Sequence, residues 1–213
     1  MPRAIQFDPD ATLETAMQQF WEAGFTRTSM HDLVRRTGLS RSSLYAAFHS
    51  KERLFELALA HYDRQMRRRE LARLEQDYPP LSAIRELFQG WIRRATELGD
   101  TRGCLLVNTA TELGTDCPGP GAMVARTQAD TEAFFERVLN AARERGELAE
   151  SLDTQHAARS LLATLLGLLV LVRTRPDAAL LESIMASALS NLSVPTAHGG
   201  GASRAPSSTL EGS

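Results

Sequence analysis

Three groups of side chains have the types and spacing to do chemistry. The first is the pair of thiols, Cys104 and Cys117. A thiolate attacks electrophiles and oxidants, but two cysteines are too few for a disulfide framework. The second is Asp153 and His156, three residues apart on a helical pattern. Helical di-metal sites use such a unit twice, with carboxylates from two further helices, and here it occurs once. A helix-capping Asp followed by a surface His accounts for it. The sequence has no G-x-S-x-G, no H-E-x-x-H and no Gly-rich phosphate loop, so it offers no catalytic constellation, metal site or cofactor site. The third group is basic. Between positions 27 and 53, Arg27, Arg35, Arg36, Arg41, Lys51 and Arg53 face only Asp32 and Glu52, although the whole chain has a formal net charge of −2. Positive charge concentrated in this way suits a docking face for phosphates rather than a general polyanion coat.

The elements that must present those cations are short. Residues 26–51 show two helical patterns around a break and read as a helix-turn-helix. Ser29 is placed to cap the first helix, with Asp32 at capping-box spacing, and Met30, Leu33 and Val34 form its inner face. Gly38 supplies the left-handed residue after its end, Leu39 plugs the angle, and Ser40 caps the second helix. There Leu44, Ala47 and Phe48 share one arc. The opposite arc carries Ser42, Tyr45, Ala46 and His49, small or hydrogen-bonding groups of the kind a helix in a major groove needs. Arg41 stands at its start, with Ser43 beside it. An N-terminal helix with Asp8 as cap, Pro9 in its first turn and Leu13, Ala16, Met17, Phe20 and Trp21 at helical spacing closes a three-helix core.

From Phe20 to Phe55 the chain resembles the DNA-binding domain of the tetracycline-repressor (TetR) family. The resemblance rests on the Tyr-x-x-Phe-x-x-Lys pattern formed by Tyr45, Phe48 and Lys51, and on Gly24, Phe25, Thr28, Gly38, Leu39, Ser40 and Leu44 upstream. Ser42 departs from it, because many relatives carry Gly there. The resemblance implies a regulator, most simply a repressor, that binds a palindromic double-stranded DNA operator as a homodimer. A small-molecule effector in the C-terminal domain shifts the separation of the two recognition helices and releases the DNA. Thr28, Arg41, Ser42, Ser43, Tyr45, His49 and Lys51 are the expected DNA-binding residues.

The rest of the 213-residue chain reads as helical, with 43% hydrophobic and 23% charged residues. The fold class is therefore all-α, an N-terminal helix-turn-helix domain plus a C-terminal helical ligand-binding and dimerisation domain. The expected division is 1–50 for the DNA-binding domain, 51–78 for a connecting helix of roughly 40 Å, 79–193 for the second domain and 194–213 for a disordered tail. Residues 1–7 read as a short arm. Arg64, Arg67, Arg68 and Arg69 on the connector are interspersed with Asp63, Glu70 and Glu75 and read as a solvated face. Helices are expected near 81–98, 103–113 and 122–145, with the Gly- and Pro-rich segment 114–121 as loop.

The helix after Asp153 is apolar around most of its circumference and must be covered on two sides. Its apolar run, 161–172, is shorter than the ~20 residues that span a bilayer, so no membrane partner is expected. No secretion signal is evident and a cytoplasmic location is expected. Leu165, Leu168 and Leu169, with Leu181, Met185 and Leu189 of the following helix, are the expected dimer contacts. Phe88, Trp91, Cys104, Asn108, Met123, Phe134 and Phe135 are the expected lining of the effector pocket. Cys104 has a further reading, because the Gly103-Cys104-Leu105 segment resembles one in a TetR subgroup that includes cysteine-based sensors of electrophiles or oxidants. Cys104 is expected in the first turn of its helix, capped by Asp100 or Thr101 and close to Arg102, where thiolate is favoured. A protein-interaction adaptor and, less readily, a helical enzyme are the competing classes.

Overall fold

The computed structural model describes residues 8–192 apart from Thr115, so the arm at 1–7 and the tail at 194–213 lie outside the described residues. Every regular element among the described residues is helical. The order is α1 (Pro9–Ala23), α2 (Met30–Thr37), α3 (Arg41–Phe48), α4 (Lys51–Tyr62), a π-helical segment (Asp63–Arg68), α5 (Arg69–Asp77), α6 (Pro80–Thr96), α7 (Leu105–Leu113), α8 (Pro118–Glu144), α9 (Thr154–Thr174) and α10 (Ala178–Ser190).

Local sequence signals account for most helix starts. Asp8, Ser29, Ser40, Ser50, Asp153 and Asp177 each accept a backbone N–H of the first turn that follows. At Ser29 the box is complete, since the Asp32 carboxylate takes the Ser29 N–H in return. Gly38 has φ 72°, the left-handed conformation that the α2–α3 turn requires. Asp153 is the cap of α9, its Oδ1 accepting the His156 N–H at 2.9 Å, and this explains their spacing without a metal.

Two expectations change. The connector from 51 to 77 is helical throughout, but six residues of it are π-helical. Asp63 opens that segment, almost fully buried, and binds both Arg67 and Arg68, which also reach Asp130 of α8. Charge thus ties the connector to the body; Arg67 is a largely buried bridge, while Arg68 bridges from the exposed face that it shares with Arg64 and Arg69. The segment 114–121 is not all loop, because α8 starts at Pro118. Pro at the first helical position lacks an N–H that would be unpaired there anyway, and its fixed φ suits a helix start.

Phe20, Leu33, Leu44, Leu54 and Phe55 form the core under the helix-turn-helix, while Phe88, Phe134, Leu139, Leu161 and Leu181 lie in that of the larger helical bundle. Both belong to one contiguous cluster.

Candidate nucleic-acid interface and effector cavity

The candidate recognition surface is the outer side of α3. Arg41, Ser42, Ala46 and His49 are exposed, and Tyr45 is 39% exposed with the Arg41 guanidinium 5.6 Å from its ring centre. Ser43 is half-buried, and its hydroxyl joins those of Ser40 and Ser42 in one network. His49 ends the helix at φ 67°, a strained value for a residue with a side chain, and turns the chain into α4.

Several of the basic groups are occupied. Arg36 makes a two-pronged bond to Glu22 of α1, both contacts at 2.8 Å, and so joins α1 to α2. Lys51 donates to the carbonyls of Phe25 and Thr28, each at 3.1 Å, and its ammonium sits 4.1 Å from the Phe25 ring centre. An ammonium has three protons, so these two carbonyls leave one of them without a carbonyl acceptor. Thr28 is 1% exposed and its hydroxyl donates to the Gly24 carbonyl at 2.6 Å. Its side chain holds the turn before α2, which corrects the expectation that it touches DNA.

Two grips join this DNA-binding head to the body. Glu112 at the end of α7 accepts the N–H groups of Phe25 and Thr26 at 3.1 and 2.8 Å. Trp21 of α1 donates its indole N–H to the Gly103 carbonyl at 3.0 Å. Arg102 lies 4.1 Å from the centre of that indole, and its Nη1 donates to Gln18 at 2.6 Å. Gly103 has φ 66°, and an added Cβ would come 3.1 Å from the Leu169 carbonyl. Glycine therefore lets this loop lie between α1 and α9.

On the other side of the same loop is a half-open cavity of about 570 Å³. Its walls come from the connector, α6, α7, α8 and α9. Leu71, Leu87, Leu106, Val124, Leu165 and Leu169 supply apolar surface, and Gln65, Gln128, Thr127, Tyr62, Cys104 and Arg94 supply polar groups. The Tyr62 hydroxyl lies near the Cys104 thiol and the Leu105 backbone. Burial, and then the neighbouring thiol, push the Tyr62 phenol well above its ordinary value, so it stays protonated.

Residues 13–58 match the signature described as "Bacterial regulatory proteins, tetR family", and residues 80–188 match "Tetracyclin repressor-like, C-terminal domain". The HTH-type transcriptional repressor ComR of Escherichia coli is 31% identical over 180 residues, covering 84% of each chain. The chain belongs to the TetR family. This TetR-family protein is a DNA-binding transcriptional regulator, in a family of regulators rather than enzymes. The HTH-type transcriptional regulator YezE of Bacillus subtilis is 29% identical, covering 83% of this chain and 92% of that one. Among solved structures, a cysteine-substituted variant of the TetR-family regulator CifR, complexed with 26-base-pair operator DNA, is 29% identical with a TM-score of 0.78. That match covers 90% of this chain and 99% of the other.

The cavity of this TetR protein is not lined as its sequence suggests. Trp91 and Cys104 face it. Phe88, Phe134 and Phe135 are completely buried core, packed ring to ring, with Phe88 and Phe135 centres 6.4 Å apart. Met123 borders a depression beside α4, and Asn108 one between α1 and α7, where its amide also holds the Arg102 carbonyl at 2.9 Å. Among the cavity-facing residues that sequence reasoning missed are Tyr62, Arg94, Leu106, Leu165 and Leu169. The charged run from Arg94 through Asp100 to Arg102 was the available signal for part of this set.

Cys104 also moves. It is the residue before α7 rather than a member of its first turn, and it is 7% exposed. Asp100 does not cap the helix, because its carboxylate binds Arg94 and Arg102. The Arg102 guanidinium is directed to Asp100, Gln18 and Trp21. Cys117 precedes α8, half-buried, and both cysteines are free thiols.

The expected dimer contacts are corrected in part. Leu165, Leu168, Leu169, Leu181 and Met185 are each at most 6% exposed within a single chain, so they pack inward, and Leu189 is half-buried. The outer side of α9 instead carries Ser160, Ala163, Gly167, Val170 and Thr174, with Val170 42% exposed. By length and mean hydropathy, 21 residues and 1.6, α9 passes the test for a membrane span, as a core helix of a soluble protein also can. Only 39% of its most apolar window is buried inside the chain, so the remainder needs cover.

Proposed function

We propose that the protein is a homodimeric, cytoplasmic repressor that places α3 of each subunit in the major groove of a palindromic operator and lets go when a small molecule occupies the cavity. The observation that carries this reading is the shared loop at 100–104. It forms part of the cavity wall through Cys104 and holds α1 of the DNA-binding head through Gly103 and Arg102. A ligand that moves the loop moves the head, and a change in the separation of the two α3 helices breaks the match to half-sites about 34–36 Å apart. In this reading residues 1–50 are the head, 51–78 the connector and 79–193 the effector and dimerisation domain. Arg41, Ser42, Ser43, Tyr45, His49 and the remaining proton of Lys51 contact the DNA. The small-residue side of α9, with the neighbouring face of α10, meets its mate in a four-helix bundle burying roughly 2,000 Å² or more.

A second reading of release comes from Cys104, which faces the cavity beside Tyr62. An electrophile entering there would form a bond to the sulfur as the thiol proton leaves to solvent. Gel shifts on the DNA upstream of the protein's own gene test the main reading, with a specific complex expected and its absence under all salt conditions refuting it. Treating that complex with N-ethylmaleimide, in wild type and Cys104→Ser, separates the two modes of release. Loss of DNA by wild type alone is the electrophile result, and equal behaviour of the two proteins leaves a noncovalent effector.

A further inference from the structure

Arg94 is held in the cavity wall by contacts that fix the guanidinium without using all of it. Its plane is near two indoles, 5.1 Å from the Trp91 ring centre and 5.7 Å from that of Trp21. Its Nη2 donates to Asp100 at 2.7 Å. Among the described residues, no protein acceptor takes the protons on Nε and Nη1, and these are not sealed away from solvent. Asp100 is shared with Arg102, whose Nε and Nη2 reach it at 2.8 and 3.0 Å. Two guanidinium groups therefore face one carboxylate, and this cluster carries one positive charge in excess beside a cavity that Arg69 also lines. Those two arginines hold the Asp100 carboxyl well below the usual carboxylate range, so it stays ionised and cannot be recruited as a donor.

We propose that the effector is an amphipathic anion, its single acidic group bound by Arg94 and its apolar body lying among Leu87, Leu106, Leu165 and Leu169. This rests on the reading of the cavity as the effector site. An acidic oxygen accepts one of these free protons in a charge-assisted hydrogen bond and supplies the missing negative charge. A neutral apolar ligand would cover the same protons and leave them unpaired, which is costly. The contact also explains how occupancy reaches the DNA-binding head. The incoming anion competes with Asp100 for Arg94, Asp100 shifts toward Arg102, and Arg102 is the residue that holds Gln18 and the Trp21 ring of α1.

The test is a fluorescence titration of the full chain with two dyes of similar skeleton, anilinonaphthalene sulfonate and uncharged phenylnaphthylamine. Leu165→Trp, which puts an indole into the cavity among the leucines, is expected to weaken binding of both. Arg94→Gln is expected to weaken the sulfonate by about 10- to 100-fold, the range for losing a charged hydrogen bond, and to leave the neutral dye's curve unchanged. Arg94→Lys keeps the charge without the planar guanidinium, and should fall between wild type and Arg94→Gln even if the latter folds poorly. Dyes that bind Leu165→Trp as they bind wild type overturn the cavity reading. Dyes that are lost together in both Arg94 variants, or that neither variant affects, overturn the anion anchor while the cavity reading stands.

Discussion

Trp21→Phe tests the joint between the two parts of the molecule. The indole is 2% exposed and makes three separable contributions. Its N–H gives the Gly103 carbonyl its bond at 3.0 Å, and phenylalanine has no donor to replace it. A buried acceptor left unpaired costs about 1–3 kcal/mol. The Arg102 guanidinium lies 4.1 Å from the ring centre, and such contacts contribute about 0.5–1 kcal/mol, part of which a phenyl ring retains. The smaller ring also leaves space beside Tyr62, whose ring centre is 5.0 Å away. Together these make about 2–4 kcal/mol, which for a chain of this size lowers Tm by about 5–15 °C. Thermal unfolding followed by circular dichroism measures this. Operator affinity should fall too, because α1 then holds the head to the body less firmly. A Tm within about 1 °C of wild type, with unchanged operator binding, would show that the Trp21–Gly103 contact transmits nothing.

Tyr45→Phe removes a partly exposed hydroxyl from α3 and should weaken operator binding several-fold at unchanged Tm; a loss of Tm with intact binding would make Tyr45 a packing residue. Lys51→Ala should do both, lowering Tm through the lost carbonyl contacts and reducing the slope of log affinity against log salt by about 1, as expected for one phosphate contact. A lowered Tm with the slope intact would confine Lys51 to the turn it holds. Val170→Glu places a charge on the outer side of α9 and should give monomers in sedimentation experiments, and a dimer of undiminished affinity would move the interface to another face. Asp100 gives the pH dependence. Its carboxyl is depressed in the folded state by Arg102 and Arg94, so its contribution is present above the unfolded value of about 3.9 and is lost as pH falls below that. The Tm difference between wild type and Asp100→Asn should accordingly be full at neutral pH and shrink below pH ~4, and a difference independent of pH down to ~2 would mean that ionisation of Asp100 contributes nothing.

Local order was legible in the chain itself. Ser29 with Asp32, Gly38, Ser40 and Ser50 act on backbone groups a few residues away, so their types and spacing determine where α2, α3 and α4 begin and end. The alternation of inner and outer positions on α3 follows from the same helical geometry, and Tyr45, Arg41 and His49 emerge on the outer side as their spacing predicts. Periodicity identifies an inner face but carries no information about what that face meets. Phe88, Phe134 and Phe135 meet other side chains, whereas Trp91, Leu165 and Leu169 meet space, and only the packing of five helical elements distinguishes the two. Within the π-helical turn at 63–68, Asp63 binds Arg67 and Arg68, and both also reach Asp130 of a distant helix, a partner that no local signal announces. Lys51, Arg36 and Arg102 read as free charge along the chain and are bound to carbonyls, to Glu22 and to Asp100 once it folds. The sign of a charge is a property of the residue, but whether it faces solvent, a ligand or its own backbone is decided by which segments the tertiary structure brings within about 3 Å of it.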